Sequence, residues 1–250
     1  MKRNIIAIGG GSLRNGPPQT TAIDREIVAL SGKAKPRLLF IPTASLDPED
    51  YCQAIERQFG GRLGCRVDSL LLYRGQPTRE EIAAKIRNAD IIYVGGGNTL
   101  RMMRLWRRLG VDGLLDRARR RGAVLSGLSA GAICWFRQGN SDSRKFADLR
   151  NKMLIKVTGL NYVDLLLCPH YDAEPHRQPG LRKMMAKTAG FAVALENCCA
   201  IEIIDDRYRI IKSKPGKQAY RVFRRRGRVV REALPPHRDF RPLAALIEGG

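Results

Sequence analysis

Histidine is scarce in this chain: His170, His176 and His237 are the only three among 250 residues. Any chemistry that needs an imidazole base has three candidates and no more. Long apolar runs are missing too, and none approaches the roughly 20 residues that cross a bilayer as a helix. The first apolar run, Ile5-Ile6-Ala7-Ile8, is too short for the core of a secretory signal and ends at Gly9-Gly10-Gly11. It reads as the first strand of a fold, and the expected compartment is the cytoplasm. Cysteine is too sparse for a disulfide framework, with six residues, of which Cys134, Cys168, Cys198 and Cys199 sit in apolar surroundings that suit small buried hydrophobes. No C-x-x-C pair and no Cys/His group with zinc-ligand spacing occurs, so neither a redox dithiol nor a metal is expected.

Acidic residues are also few, 24 against 45 lysines and arginines, which leaves a net charge of +21. Such a charge fits a nucleic-acid or other anionic partner. The dense clusters are Arg101/Arg104/Arg107/Arg108, Arg117/Arg119/Arg120/Arg121 and Arg224-Arg225-Arg226. They are scattered, the first two fall on helices with an apolar opposite face, and no helix-turn-helix, RNA-recognition or zinc-finger pattern accompanies them. Nucleic acid is therefore not the favoured partner, and solvated helix faces account for the charge.

What is present is an alternation of apolar strand-like runs with helical patterns. Ile5–Ile8, Arg37–Ile41, Val67–Leu72, Ile91–Val94 and the run from Ala123 read as strands, with helices from Thr21 to Gly32, Pro48 to Phe59 and Thr78 to Arg87 between them. Thr78-Arg79-Glu80-Glu81 reads as a capping box. This order predicts an α/β fold whose mostly parallel sheet is flanked by helices on both faces. Arg137–Lys145 is polar and reads as a loop. Val163–Cys168, Phe191–Leu195 and Ala200–Asp205 are strands, Arg177–Thr188 is a helix, and antiparallel strands follow near the C-terminus. With no repeat and no linker, residues 1–250 are expected to form a single domain, monomeric or homodimeric.

Ligands of such sheets bind at the carboxyl ends of the strands. Four of those ends carry Gly9-Gly10-Gly11-Ser12, Pro42-Thr43-Ala44-Ser45, Gly95-Gly96-Gly97-Asn98-Thr99 and Gly127-Leu128-Ser129-Ala130-Gly131. The last is G-x-S-x-G between an apolar strand and Ala132–Phe136, which can begin a helix. A serine on that turn holds its hydroxyl clear of the sheet, beside N–H groups able to stabilise an oxyanion. Exposed backbone at Gly96 or Gly97 is a second donor candidate. No phosphate-binding glycine motif is present.

A serine nucleophile needs a base and a group that orients the base. His170 directly follows the strand Val163–Cys168, whereas His176 lies in a polar loop and His237 lies outside any strand–loop context. For the orienting carboxylate, Glu196 ends the run Phe191–Leu195 and is the first choice, Glu202 the second. The order Ser…His…Glu differs from that of the α/β-hydrolases, which disfavours a lipase or esterase.

Ile5–Gly11, Ile41–Ala44, Gly95–Thr99, Gly127–Ala132, Pro169-His170 and Leu195-Glu196 together resemble the peptidase E family over nearly the whole chain. That family is the serine-peptidase branch of the class I glutamine amidotransferase-like fold and is related to cyanophycinases. The resemblance implies a Ser–His–Glu triad of Ser129, His170 and Glu196, with the N–H groups of Gly97 and Ala130 as the oxyanion hole. It implies short peptides as substrates, including dipeptides with an N-terminal Asp, and Asn98, Thr99 and Arg177 as substrate-binding residues. It implies no cofactor. The rival reading is an amidotransferase-like scaffold without catalysis that holds nucleic acid or anionic polymers on its basic surface.

Overall fold

The computed structural model describes residues 4–13, 16–148, 150–151 and 153–248. In chain order its elements begin with β1 (Asn4–Ile8), α1 (Thr21–Leu30), β2 (Arg37–Ile41), α2 (Glu49–Ile55), which continues as a π-helical stretch Glu56–Arg62, and β3 (Arg66–Ser69). Next come α3 (Arg79–Asn88), β4 (Ile91–Val94), α4 (Thr99–Leu109), α5 (Val111–Arg121), β5 (Val124–Leu128) and α6 (Ala130–Ile133). The remainder is β6 (Phe136–Ser141), β7 (Ile155–Thr158), β8 (Val163–Cys168), α7 (Arg177–Met185), β9 (Phe191–Leu195), β10 (Cys199–Ile204), β11 (Arg207–Lys212), β12 (Ala219–Arg225), β13 (Arg228–Leu234) and β14 (Arg241–Pro242).

The strands form two mixed sheets rather than one mostly parallel sheet. The larger has the order β14-β11-β10-β1-β5-β4-β2-β3 and the smaller β13-β12-β9-β8-β6-β7. In the first, β1, β5, β4, β2 and β3 pair in parallel, while β10, β11 and β14 add antiparallel strands at one side. In the second, β6, β8 and β9 are parallel and the outer pairings antiparallel. The helices do flank the large sheet on both faces. Ile5, Ala7, Leu39, Ile92 and Leu125 face one core with Ile82 and Ile86 of α3, Met102 and Trp106 of α4 and Leu115 of α5. Their strand neighbours Ile6, Ile8, Leu38, Phe40 and Val124 face the other, with Ile23 and Ile27 of α1 and Ile55 of α2. Strands buried on both faces have no polar side to display, hence their continuous apolar runs.

The capping box at α3 is present with both bonds: Thr78 Oγ1 accepts from Glu81 N, and Glu81 Oε2 accepts from Thr78 N at 2.7 Å. Two local expectations fail. The helix expected over Ala132–Phe136 is limited to α6, and Phe136 already opens β6. The expected loop Arg137–Lys145 is largely β6 followed by a 3-10 turn, Ser143–Phe146. Phe136-Arg137-Gln138-Gly139-Asn140-Ser141 shows no apolar alternation because its buried polar residues are satisfied by tertiary partners. Asn140 Oδ1 accepts from Arg177 Nη1 at 3.3 Å, and the Ser141 hydroxyl donates to Thr99 Oγ1 at 3.3 Å.

Candidate active site

Carboxyl ends of both sheets meet around the end of β1. Ile8 O accepts from Ser129 N at 3.0 Å, Gly9 O from His170 N at 3.0 Å, and Gly10 O from Cys198 N at 2.8 Å. Three consecutive carbonyls, at the last residue of β1 and the two that follow it, thus hold three segments that lie far apart in the chain. Gly10 has no room for a side chain, since a Cβ there would lie 1.9 Å from Asn197 Oδ1 and 2.5 Å from His170 Nδ1.

Ser129 sits between β5 and α6 with φ 56° and ψ −110°, a conformation that costs a non-glycine residue energy and recurs where a side chain must be presented. The flanking glycines permit the turn. A Cβ on Gly131 would lie 2.0 Å from Val94 O, and one on Gly127 2.4 Å from Gly131 O. Ser129, His170, Asn197, Gly96 and Gly97 line one cavity of about 550 Å³. Among the described residues, no backbone hydrogen bond occupies the Gly97 or Ala130 N–H.

His170 Nδ1 lies 2.8 Å from Asn197 Oδ1. With the amide oxygen accepting, the ring proton resides on Nδ1 and Nε2 keeps its lone pair. Burial pushes the imidazole below its ordinary range. The Asn197 bond works the other way, and the Arg177 charge adds to the lowering. The ring is therefore neutral at pH 7. Asn197 is in turn held through its backbone, where Asp172 Oδ1 accepts from Asn197 N at 2.8 Å and Asp172 Oδ2 pairs with Lys217. Burial opposes ionisation of Asp172, but the Lys217 ammonium and the Asn197 N–H hold its carboxyl below the usual range.

Glu196 is not brought to His170. Its Oε2 accepts from Gln218 N at 3.1 Å and its Oε1 from the Tyr220 hydroxyl at 3.2 Å, so it ties the end of β9 to β12. Glu202, the second choice, is buried against Arg209 on β10. Adjacent residues at a strand end point to opposite sides. Choosing 197 over 196 requires the register of β9, which no motif in the sequence carries.

Of the three expected substrate-binding residues, Thr99 and Arg177 are buried, while Asn98 is half-buried at the wall of a neighbouring cavity. Asn98 caps α4 by accepting from Arg101 N at 3.0 Å and donates to Ser143 O at 3.2 Å. Thr99 is buried and accepts from the Ser141 hydroxyl at 3.3 Å. Arg177 is 1% exposed, with Nε 3.0 Å from Glu174 Oε2 and Nη2 3.5 Å from Asp142 Oδ2. Asp142 and Lys145, paired with each other, do line the cavity with His170, and sequence reasoning passed over both because their segment read as a loop. Cys134, Cys168, Cys198 and Cys199 are buried as expected; burial raises the Cys168 and Cys199 thiols to about 12. Among the described residues, no group of three His, Cys, Asp or Glu is arranged to hold a metal ion. Among the described residues, no helix is long and apolar enough to cross a membrane.

The family model for peptidase family S51 matches residues 5–211. The chain belongs to peptidase family S51. This S51 peptidase is a serine-type hydrolase of peptide bonds, in agreement with the resemblance read from its motifs. It is 33% identical over 235 residues to the uncharacterized peptidase YgaJ of Bacillus subtilis, which covers 93% of this chain and 97% of that one. It is 32% identical over 168 residues to the uncharacterized peptidase Lmo0363 of Listeria monocytogenes, 64% of this chain and 76% of that one. Two solved structures share the fold of this S51 peptidase. A peptidase from an acI-B1 Actinobacterium superposes with a TM-score of 0.70 at 16% identity, over 97% of each chain. A Listeria monocytogenes protein assigned provisionally as a peptidase E gives 0.65 at 24% identity, over 85% of this chain and 99% of that one.

Proposed function

We propose that this peptidase hydrolyses short peptides through Ser129 as nucleophile, His170 as general base and Asn197, not a carboxylate, as the group that orients the base. The observation that carries this reading is the hydrogen bond between His170 Nδ1 and Asn197 Oδ1, in the cavity that also holds the strained Ser129 turn. Ser129 Oγ attacks the scissile carbonyl carbon while His170 Nε2 takes the hydroxyl proton. The oxyanion receives hydrogen bonds from the Gly97 and Ala130 N–H groups; losing one such donor typically costs about 3 kcal/mol of transition-state stabilisation. The tetrahedral intermediate collapses, His170 returns the proton to the leaving amine, and water deacylates the serine by the same route. An amide in the third position also serves Cys–His–Asn peptidases, where it fixes the tautomer without adding charge.

An N-terminal Asp, the preference implied by the family resemblance, would meet Lys145 rather than Arg177, because the Arg177 guanidinium is buried against Glu174. Ser129→Ala is expected to abolish turnover of a short-peptide library while leaving the melting temperature within about 1 °C, as for a substitution that removes no packing. Turnover retained in that variant rules the assignment out.

A further inference from the structure

The arginine cluster on α4 does more than solvate a helix. Arg101, Arg104 and Arg108 fall at i, i+3 and i+7, one face of the helix, and with Arg144 they line a cavity of about 490 Å³. Phe146 belongs to the walls of both this cavity and the one holding Ser129, so the two meet at the 3-10 turn Ser143–Phe146. The Arg101 guanidinium lies 5.9 Å from the Phe146 ring centre, and its Nη2 donates to Ala44 O at 3.2 Å. Its Nε is buried with no hydrogen-bond partner among the described residues.

Among the described residues, most members of the other basic clusters are held by the fold, Arg117 and Arg226 excepted. Arg119 and Arg120 pair with Asp116, Arg121 donates to Ala89 O, and Arg225 pairs with Glu232. On α4 itself, Arg107 turns away and donates to Thr158 O. Among the described residues, Arg101, Arg104, Arg108 and Arg144 take part in no ion pair. Their arrangement is unfavourable for the helix alone. Like charges three and four residues apart repel, and Arg101 sits in the first turn, where the helix dipole disfavours a cation. An anionic ligand removes both costs, and a carboxylate suits the planar guanidinium in particular.

We propose that this groove binds the acidic side chains of a peptide whose scissile bond lies at Ser129, so that the preferred substrates are acidic peptides longer than a dipeptide. The proposal rests on the peptidase reading and names its substrate class. From Arg101 to Arg108 the helix rises about 10 Å, which matches about three residues of extended peptide. A site so short, sharing its Phe146 wall with the serine cavity, fits a peptide tail better than the long phosphate track of a nucleic acid.

The test compares a neutral fluorogenic peptide with the same peptide carrying three glutamates at one end or the other. Wild type is expected to cleave one tailed peptide with at least ten-fold higher kcat/KM, through KM, and to lose the advantage in about 0.5 M salt, where surface charges are screened. Arg104→Glu/Arg108→Glu is expected to keep its rate on the neutral peptide and lose the tail effect. Equal kcat/KM for tailed and untailed peptides in wild type, or equal losses on both in the variant, overturns the proposal. If wild type cleaves none of them, the serine reading fails separately, and fluorescence anisotropy with the Glu-tailed peptide decides the groove. Binding lost in the double variant upholds it. Absent binding, or displacement by oligouridylate at lower concentration than by the unlabelled peptide, overturns it, the latter in favour of nucleic acid.

Discussion

Asn197 occupies the position beside His170 where the motifs pointed to Glu196, and the difference is measurable. A carboxylate beside Nδ1–H would favour the imidazolium, whereas the amide leaves burial to dominate and holds the ring below its ordinary range. With His170 as the proposed base, the neutral form is lost as pH falls through the folded-state value. The acidic limb of kcat/KM is therefore expected below about pH 6.5, the unperturbed histidine value. Asn197→Asp should move that limb upward, because the added charge stabilises protonated His170. Asn197→Ala should lower kcat about 100-fold, at the scale of general-base assistance. A pH–rate profile unmoved by the aspartate removes Asn197 from the orienting position. The placement of Ser129 and His170 at one cavity was legible because each closely follows the end of an apolar strand. The residue that meets His170 Nδ1 was not, because residues 196 and 197 are told apart only by which side of the strand end each faces.

At the scale of elements, α1 carries an acid inside the core. Asp24 accepts from Thr20 Oγ1 at 3.0 Å and Gln58 Nε2 at 2.7 Å through the same oxygen, while Oδ1 has no partner among the described residues. Burial raises its carboxyl to about 7 despite the two hydrogen bonds. The unfolded chain then loses this proton near pH 3.8 while the folded chain keeps it to about 7. This group's contribution to stability is full below 3.8, falls as pH rises through the interval, and is level above it. Asp24→Asn keeps the accepting oxygen and supplies a donor, so it should stabilise the protein by about 1–3 kcal/mol at pH 8 and little at pH 4. Denaturant melts at both values check this. Elements with strong local signals were read with their observed bounds: β4 at Ile91–Val94, β8 at Val163–Cys168 and β9 at Phe191–Leu195. β6 was invisible because a strand built on Gly139, Asn140 and Ser141 owes its burial to Ile133, Arg177 and Ser143, none of which its own pattern announces.

Across the whole molecule, helix–strand alternation revealed the α/β class but not the partition into two sheets. β6, β8 and β9 pair in parallel as the central strands of the large sheet do, and only contacts distant in sequence assign them to a second layer. The charge of +21 acts at this scale as self-repulsion that salt relieves. The melting temperature should rise by about 2–5 °C between 0.05 and 0.5 M sodium chloride as the Debye length shrinks. A flat or falling curve would mean the cations are already neutralised within the fold.

The end of β1 has a consequence in time as well as in space. Its carbonyls at Ile8, Gly9 and Gly10 are made among the first residues of the chain, yet they wait for Ser129, His170 and Cys198. Until about four fifths of the polypeptide has left the ribosome, no partner exists to bring Asn197 to His170. Under the proposed mechanism, a nascent chain therefore carries its serine without an oriented base until Asn197 is made, with β12 and β13 of the second sheet still to follow.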